Sequence, residues 1–142
     1  MSRVKLKLPE QFNFFTTTPV RITDINYGNH LGNDAVLSFI HEARVQFLKS
    51  FNLEELKFEG VGLIMSDAAI EFKNEAFYGD VLKVYVTASE PSRIGFSLFY
   101  KLVVQTKEGE KNIAYAKTGM ICYDYNLKKV VPFPTSAERI FK

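Results

Sequence analysis

The chain has 142 residues, 46% of them hydrophobic and 24% charged, and a net charge of +2. That length fits one domain, spanning residues 1–142, with a core that needs no staples. So small a charge gives no electrostatic case for nucleic acid, whose binding draws on many phosphate contacts. The single cysteine, Cys122, excludes an intrachain disulfide and a cysteine-rich metal site.

No stretch reaches the roughly 18–20 apolar residues of a membrane helix. The opening MSRVKLKLPEQ carries charges without the apolar run of a secretory signal. A cytoplasmic protein with no membrane partner is the expectation. Thirteen Phe and seven Tyr with no Trp predict a Phe-rich core, with an apolar pocket or subunit interface as the sharper alternative.

Residues 14–23, FFTTTPVRIT, are β-branched and aromatic, which predicts a strand. Pro19 lacks an N–H and places that strand at a sheet edge or a bulge. The polar stretch DINYGNHLGND follows at 24–34, with two Asp, three Asn, two Gly and one of only two His. Over 31–50 the apolar residues Val36, Ile40, Ala43 and Phe47 recur at the helical period, and Phe39 widens their face. Asp34, Ser38, Glu42 and Gln46 trace a polar stripe. Asn29 and Asn33 are the candidate caps.

After the turn EGVG the period becomes two. Residues 63–73 put Ile64, Ala68, Ile70 and Phe72 on one face. EAFYGD turns into 81–89, where Leu82, Val84, Val86 and Ala88 share a face. Residues 94–105 align Ile94, Phe96, Leu98, Tyr100 and Leu102, and 113–124 reads as a last long strand. Short turns between consecutive strands imply an antiparallel meander. One long helix across the concave face of a curling sheet is the α+β solution.

The stretch D-x-N-Y-x-x-H-L-x-N before a helix containing HEAR resembles the start of the hot-dog-fold acyl-CoA thioesterases, in particular the 4-hydroxybenzoyl-CoA thioesterase-like group. EAFYGD, PSRIGFSLFYKL and VVPFP resemble later landmarks of that family. The resemblance implies a curved antiparallel sheet of about five strands wrapped around one central helix. It implies hydrolysis of an acyl thioester, carried by CoA or a carrier protein, with no metal or redox cofactor beyond the CoA of the substrate. It also implies a homodimer or homotetramer with the site shared between chains. Three positions depart from the family pattern: Asn29 replaces the Gly before His30, Gly32 stands where the first Asn of the closing pair is usual, and Asn26 stands where the catalytic carboxylate is usual. An amide cannot act as nucleophile or base. Asn26 retains the ability to orient water or hydrogen-bond a thioester.

Thioester hydrolysis needs a polarised carbonyl and an activated water. Unpaired N–H groups at a helix start favour a developing oxyanion, and the N–H around Asn33 holds that place. Gly32 permits close approach of substrate. The base candidates are Asp34, Asp24 and Glu42, in that order, then Asp67 from the strands, with His30 as base or as loop anchor. Asp34 and Glu42 are about 12 Å apart in helical rise, too far to share one carbonyl. Plain structural readings stand beside these: a cap for Asn33, an Asx turn for Asp24, structural hydrogen bonds for Glu42 and Arg44. Ser92 and Arg93 read as CoA phosphate contacts or as a solvated turn. Two alternatives to a thioesterase remain: a non-catalytic acyl-CoA or acyl-chain binding module, and a hot-dog enoyl-thioester hydratase or dehydratase using His30 with Glu42.

Overall fold

A computed structural model describes residues 2–142. The strands are β1 (Phe14–Pro19), β2 (Gly62–Phe72), β3 (Val81–Ser89), β4 (Gly95–Thr106), β5 (Gly109–Asp124) and the two-residue β6 (Lys129–Val130). One long helix, α1 (Asn33–Lys49), lies between β1 and β2 in the chain. Sheet order is β1-β3-β4-β5-β2, all pairs antiparallel, with β6 beside the end of β5. This is the hot-dog arrangement, with one short strand more than the expected five. Among the described residues, no helix is long and apolar enough to cross a membrane.

The alternation of β3 and β4 holds as expected. Leu82, Val84 and Val86 face inward with Leu98, Tyr100 and Leu102. Val36, Phe39, Ile40, Ala43, Phe47 and Leu48 of α1 close over them. Burying each such side chain contributes about 1.5–3 kcal/mol, so this face fixes the helix on the sheet. Leu37, off the side of that face, is exposed.

Of the face expected for 63–73, Ile70 packs against the core, Ile64 is half-buried, and Ala68 and Phe72 are exposed. A bulge between Met65 and Asp67 shifts the register of β2 against β5. One extra residue reverses the alternation, so Leu63, not Ile64, is buried before it, and Ile70 packs inward after it. Ser66 and Asp67 serve the bulge: the Gly119 N–H donates to Asp67 Oδ1 at 2.9 Å, and Ser66 Oγ donates to the Gly119 carbonyl at 3.2 Å.

Both faces of β4 are covered, because the arm ahead of β1 crosses the outside of the sheet. The Leu6 N–H donates to Glu71 Oε1 at 3.0 Å on β2, and Phe12 packs edge-on to Tyr85 on β3. Pro19 ends an edge strand, as its missing N–H requires. The other edge of the main sheet, β2, has no neighbour on its free side among the described residues.

A charged network sits inside the core. Arg44 of α1 is buried and donates from Nε to Glu55 Oε1 at 3.1 Å and from Nη1 to the Tyr100 hydroxyl at 3.4 Å. Tyr100 shares a 2.8 Å hydrogen bond with Thr118. Burial opposes the Arg44 charge, yet Tyr100 and Glu55 together raise its pKa above the ordinary value. Burial pushes the Cys122 thiol up to about 11. A fully buried thiol of that kind is no nucleophile at neutral pH.

Candidate active site

The stretch 24–34 folds into a tight platform that feeds α1. Asp24 anchors its start: Oδ2 accepts from the Arg21 N–H at 2.8 Å and from Arg21 Nε at 3.1 Å, and Oδ1 accepts from Nη2 at 3.2 Å. Burial pushes the Asp24 carboxyl up, and the Arg21 guanidinium and N–H outweigh it, holding the group below the usual carboxylate range. A carboxylate whose folded pKa is depressed stabilises the fold above its unfolded value of about 4, and that contribution is lost as pH falls through the folded value. Asp24→Asn should therefore lower the urea midpoint at pH 7, with the gap to wild type closing at strongly acid pH.

Beyond Asp24 the chain reverses on itself. Ile25 and Leu31 form an isolated bridge, and the Asn26 N–H donates to the His30 carbonyl at 2.9 Å. Asn26 Oδ1 accepts from the Gly28 N–H at 2.8 Å, an Asx turn. Its carboxamide Nδ2 meets no acceptor among the described residues. Asn29 takes a left-handed φ of 64°, which Asn tolerates. It is a turn residue rather than a cap.

The helix begins without a side-chain cap. Gly32 occupies the cap position in extended geometry, and Asn33 is the first helical residue. The expectation that Asn29 or Asn33 caps the helix is not met. The Ala35 N–H donates to the Gly32 carbonyl, and the Gly32 N–H to the Asp24 carbonyl. Among the described residues, neither the Asn33 nor the Asp34 N–H meets an acceptor. A Cβ at Gly32 would lie 2.6 Å from Asp34 Oδ1, the end of a side chain that can turn away, and 3.6 Å from Asn26 Cβ. Asp34 thus folds back over the cap at the entrance to the helix.

That entrance opens on a crevice of about 240 Å³ lined by His30, Asn33, Phe72, Lys73, Glu75 and Ile113, among others. Its two walls are tied together by the Leu31 N–H, which donates to the Ala76 carbonyl at 2.7 Å. His30 Nδ1 lies 3.2 Å from the Leu31 carbonyl, and Nε2 lies 3.7 Å from Glu75 Oε1. Lys73 is paired with Glu71 at 2.8 Å.

Of the residues singled out from sequence, Asn26, His30, Gly32, Asn33 and Asp34 gather at this entrance, with Asp24 beneath them. Glu42 does not join them. It lies more than two turns along α1 and accepts from Gln46 Nε2 at 2.8 Å. Ser92 and Arg93 sit in the β3–β4 turn, where the Ser92 N–H and hydroxyl both donate to the Gly95 carbonyl. The helix entrance meets the chain just before β3 begins, so that turn lies at the far end of a nine-residue strand, about 30 Å away. Asp67 is spent on its bulge. Lys73, Asn74 and Glu75 were not foreseen: EAFYGD reads as an ordinary turn, and nothing local announces that Leu31 pairs with Ala76. Among the described residues, no group of His, Cys, Asp and Glu has the arrangement of a metal site.

A larger cavity of about 810 Å³ lies at the other end of α1, lined by Phe14, Phe47, Phe51 and Phe141 among others. It holds no helix start and no imidazole, so the smaller crevice is the one equipped for chemistry.

Comparison with known proteins identifies the family. Residues 20–141 match the model of the thioesterase-like superfamily. A 1,4-dihydroxy-2-naphthoyl-CoA hydrolase of Microcystis aeruginosa is 31% identical over 104 residues, covering 71% of this chain and 72% of the relative. The crystal structure of a 1,4-dihydroxy-2-naphthoyl-CoA thioesterase from Synechocystis superposes with a TM-score of 0.78 at 24% identity, covering 90% of this chain and 94% of that one. A mutant 4-hydroxybenzoyl-CoA thioesterase, complexed with 4-hydroxybenzoyl-CoA, superposes with a TM-score of 0.82 at 14% identity, covering 91% and 98%.

Proposed function

The chain belongs to the thioesterase-like superfamily and is a thioester hydrolase, and we propose that it hydrolyses an acyl-CoA at the crevice where α1 begins. The observation that carries this reading is Asn33, which lines the crevice and whose backbone N–H, at the start of the helix, meets no acceptor among the described residues. A thioester oxygen placed there gains a hydrogen bond that strengthens as the oxyanion forms, aided by the positive end of a 17-residue helix. Gly32, once the Asp34 carboxylate turns off it, would let the acyl carbon approach the backbone, and Asn26 Nδ2 would be a donor to the substrate or to the attacking water. Of the groups near the entrance able to take the proton of that water, His30 lines the crevice and Asp34 folds over Gly32 beside it. Water, backbone amides and side chains carry every step, so the reaction calls for no metal or redox cofactor.

A volume of 240 Å³ is below that of typical small-ligand sites. It does not bury an acyl-CoA, which supports a site completed by a second copy. The unpaired edge of β2 offers the means, since an open strand edge recruits another strand. Antiparallel pairing of β2 with β2 of a second copy would carry that copy's β3–β4 turn toward this helix entrance. Ser92 and Arg93 would then serve CoA phosphates in trans, where one chain alone keeps them remote. Leu37, Val45 and Leu56 are exposed on the outer side of α1 and support a further apolar contact, as in a tetramer.

The named relatives act on aromatic acyl-CoAs, and Val36, Phe72 and Ile113 supply apolar walls. A panel led by aromatic acyl-CoAs, with short and long chains behind, is the test, read by release of free thiol. Wild-type protein is expected to release CoA from at least one member. Tight acyl-CoA binding with no thiol release, and turnover appearing only in Asn26→Asp, would mark a binding module instead. The hydratase alternative needs His30 beside Glu42, and these lie apart.

A further inference from the structure

We propose that His30 is the proton acceptor of the hydrolysis and that Glu75, from the loop between β2 and β3, is the positioning partner that makes it one. This rests on the thioesterase reading above.

The crevice supplies one imidazole and one carboxylate, His30 and Glu75. The other acids are engaged or elsewhere. Asp24 is held through both oxygens by Arg21, Glu42 is more than two turns away, and Asp67 caps the Gly119 N–H. Asp34 folds over Gly32 and does not line the crevice.

The contacts of His30 determine its tautomer. A carbonyl only accepts, so at 3.2 Å from the Leu31 oxygen Nδ1 carries the hydrogen. The lone pair of the neutral ring is then on Nε2, the atom that faces Glu75. The 3.7 Å between Nε2 and Glu75 Oε1 is too long for a direct hydrogen bond. A water with bonds of about 2.8 Å to both atoms would span that gap, donating one hydrogen to each and leaving its own lone pairs free. The Leu31–Ala76 backbone bond at 2.7 Å fixes the two residues opposite each other, since it joins their immediate chain neighbours.

The chemistry balances on these groups. The water oxygen bonds to the thioester carbon as its O–H bond breaks, and the proton passes to His30 Nε2. The carbonyl electron pair moves to the oxyanion at the Asn33 N–H. Glu75, 3.7 Å from the nitrogen that takes the proton and 62% exposed, stabilises the imidazolium that forms by its negative charge. Collapse of the oxyanion breaks the C–S bond, and the departing thiolate takes the proton back from Nε2. The carboxylate role left open by Asn26 is thereby filled by a histidine and an acid from another part of the chain.

The test uses full-length protein and the acyl-CoA that wild type turns over fastest, with variants His30→Ala, Glu75→Gln, Glu75→Asp and Asp34→Ala, each checked for a native melting transition. His30→Ala is expected to lower kcat by about 10²–10⁴-fold, with partial recovery on adding free imidazole. Glu75→Gln is expected to lower kcat by about 10-fold with KM little changed, the signature of a group acting in the transition state. Glu75→Asp should recover part of that loss. A kcat within about twofold of wild type in both His30→Ala and Glu75→Gln would overturn the proposal. So would loss of turnover in Asp34→Ala with His30→Ala fully active. Wild type that binds but never hydrolyses any acyl-CoA would defeat the parent reading and this pair with it, an outcome distinct from active wild type with indifferent variants.

Discussion

Asn33→Pro is expected to cut kcat by about 10²–10³-fold while the protein stays folded. The substitution deletes one hydrogen-bond donor, the backbone N–H placed to receive the oxyanion. Proline is tolerated at the first helical residue, where its missing N–H breaks no helical bond. The preceding residue, Gly32, has φ −70° and ψ 143°, the extended geometry that a residue before proline prefers. The matched control is Asn33→Ala, which removes the side chain and keeps the N–H, and it should retain most of the activity. Equal loss in the two variants would assign the effect to the carboxamide; loss confined to the proline assigns it to the backbone. The measurement is kcat and KM for thiol release, beside a far-ultraviolet spectrum.

Arg44→Ala is the substitution expected to cost most in stability. It removes a buried guanidinium that bonds Glu55 and Tyr100, and it leaves Glu55, about a quarter exposed, without its closest cation. Hydrogen bonds to charged groups contribute about 1.5–3 kcal/mol. For a domain of this size that corresponds to a fall in Tm of roughly 3–12 °C. The Tyr100–Thr118 hydrogen bond survives the change, so the core should keep its architecture. Urea denaturation with an unchanged slope and a lower midpoint would confirm a loss confined to stability. A midpoint within error of wild type would show that the network contributes nothing net, as some buried ion pairs do.

Much of this architecture was legible from residues that repeat. The spacing of Val36, Ile40, Ala43 and Phe47 identified the helix and its inner face, because burial on one side imposes the helical period. Leu82, Val84 and Val86 did the same for β3, and Pro19 marked an edge strand. The bulge at Ser66 was not legible. It depends on Gly119, more than fifty residues later, and it reverses a face that strict alternation would assign. The arm before β1 was equally hidden, since a segment without regular structure has no period, and its ties to Glu71 and Tyr85 are long-range.

The site divides along the same line. Asn26, His30, Gly32, Asn33 and Asp34 fall within one short stretch, so their assembly at the helix entrance follows from chain continuity. Asp24 fits a base by type and spacing; the grip of Arg21 on both its oxygens shows only in the folded loop. Glu75 opens EAFYGD, whose resemblance to a family landmark does not mark it as part of the site, and its place opposite His30 comes from the Leu31–Ala76 backbone bond. Ser92 and Arg93 remain remote in the single chain, and only an assembly can bring such residues to the crevice.

The most direct measurement is a crystal structure of the protein with an acyl-CoA analogue in which a methylene replaces the thioester sulfur, so that the carbonyl persists unhydrolysed. The account predicts its oxygen within about 3 Å of the Asn33 nitrogen, with His30 beside the carbonyl carbon. A carbonyl bound in the Phe14–Phe47 cavity at the opposite end of the helix, with the Asn33 N–H facing solvent, would contradict it.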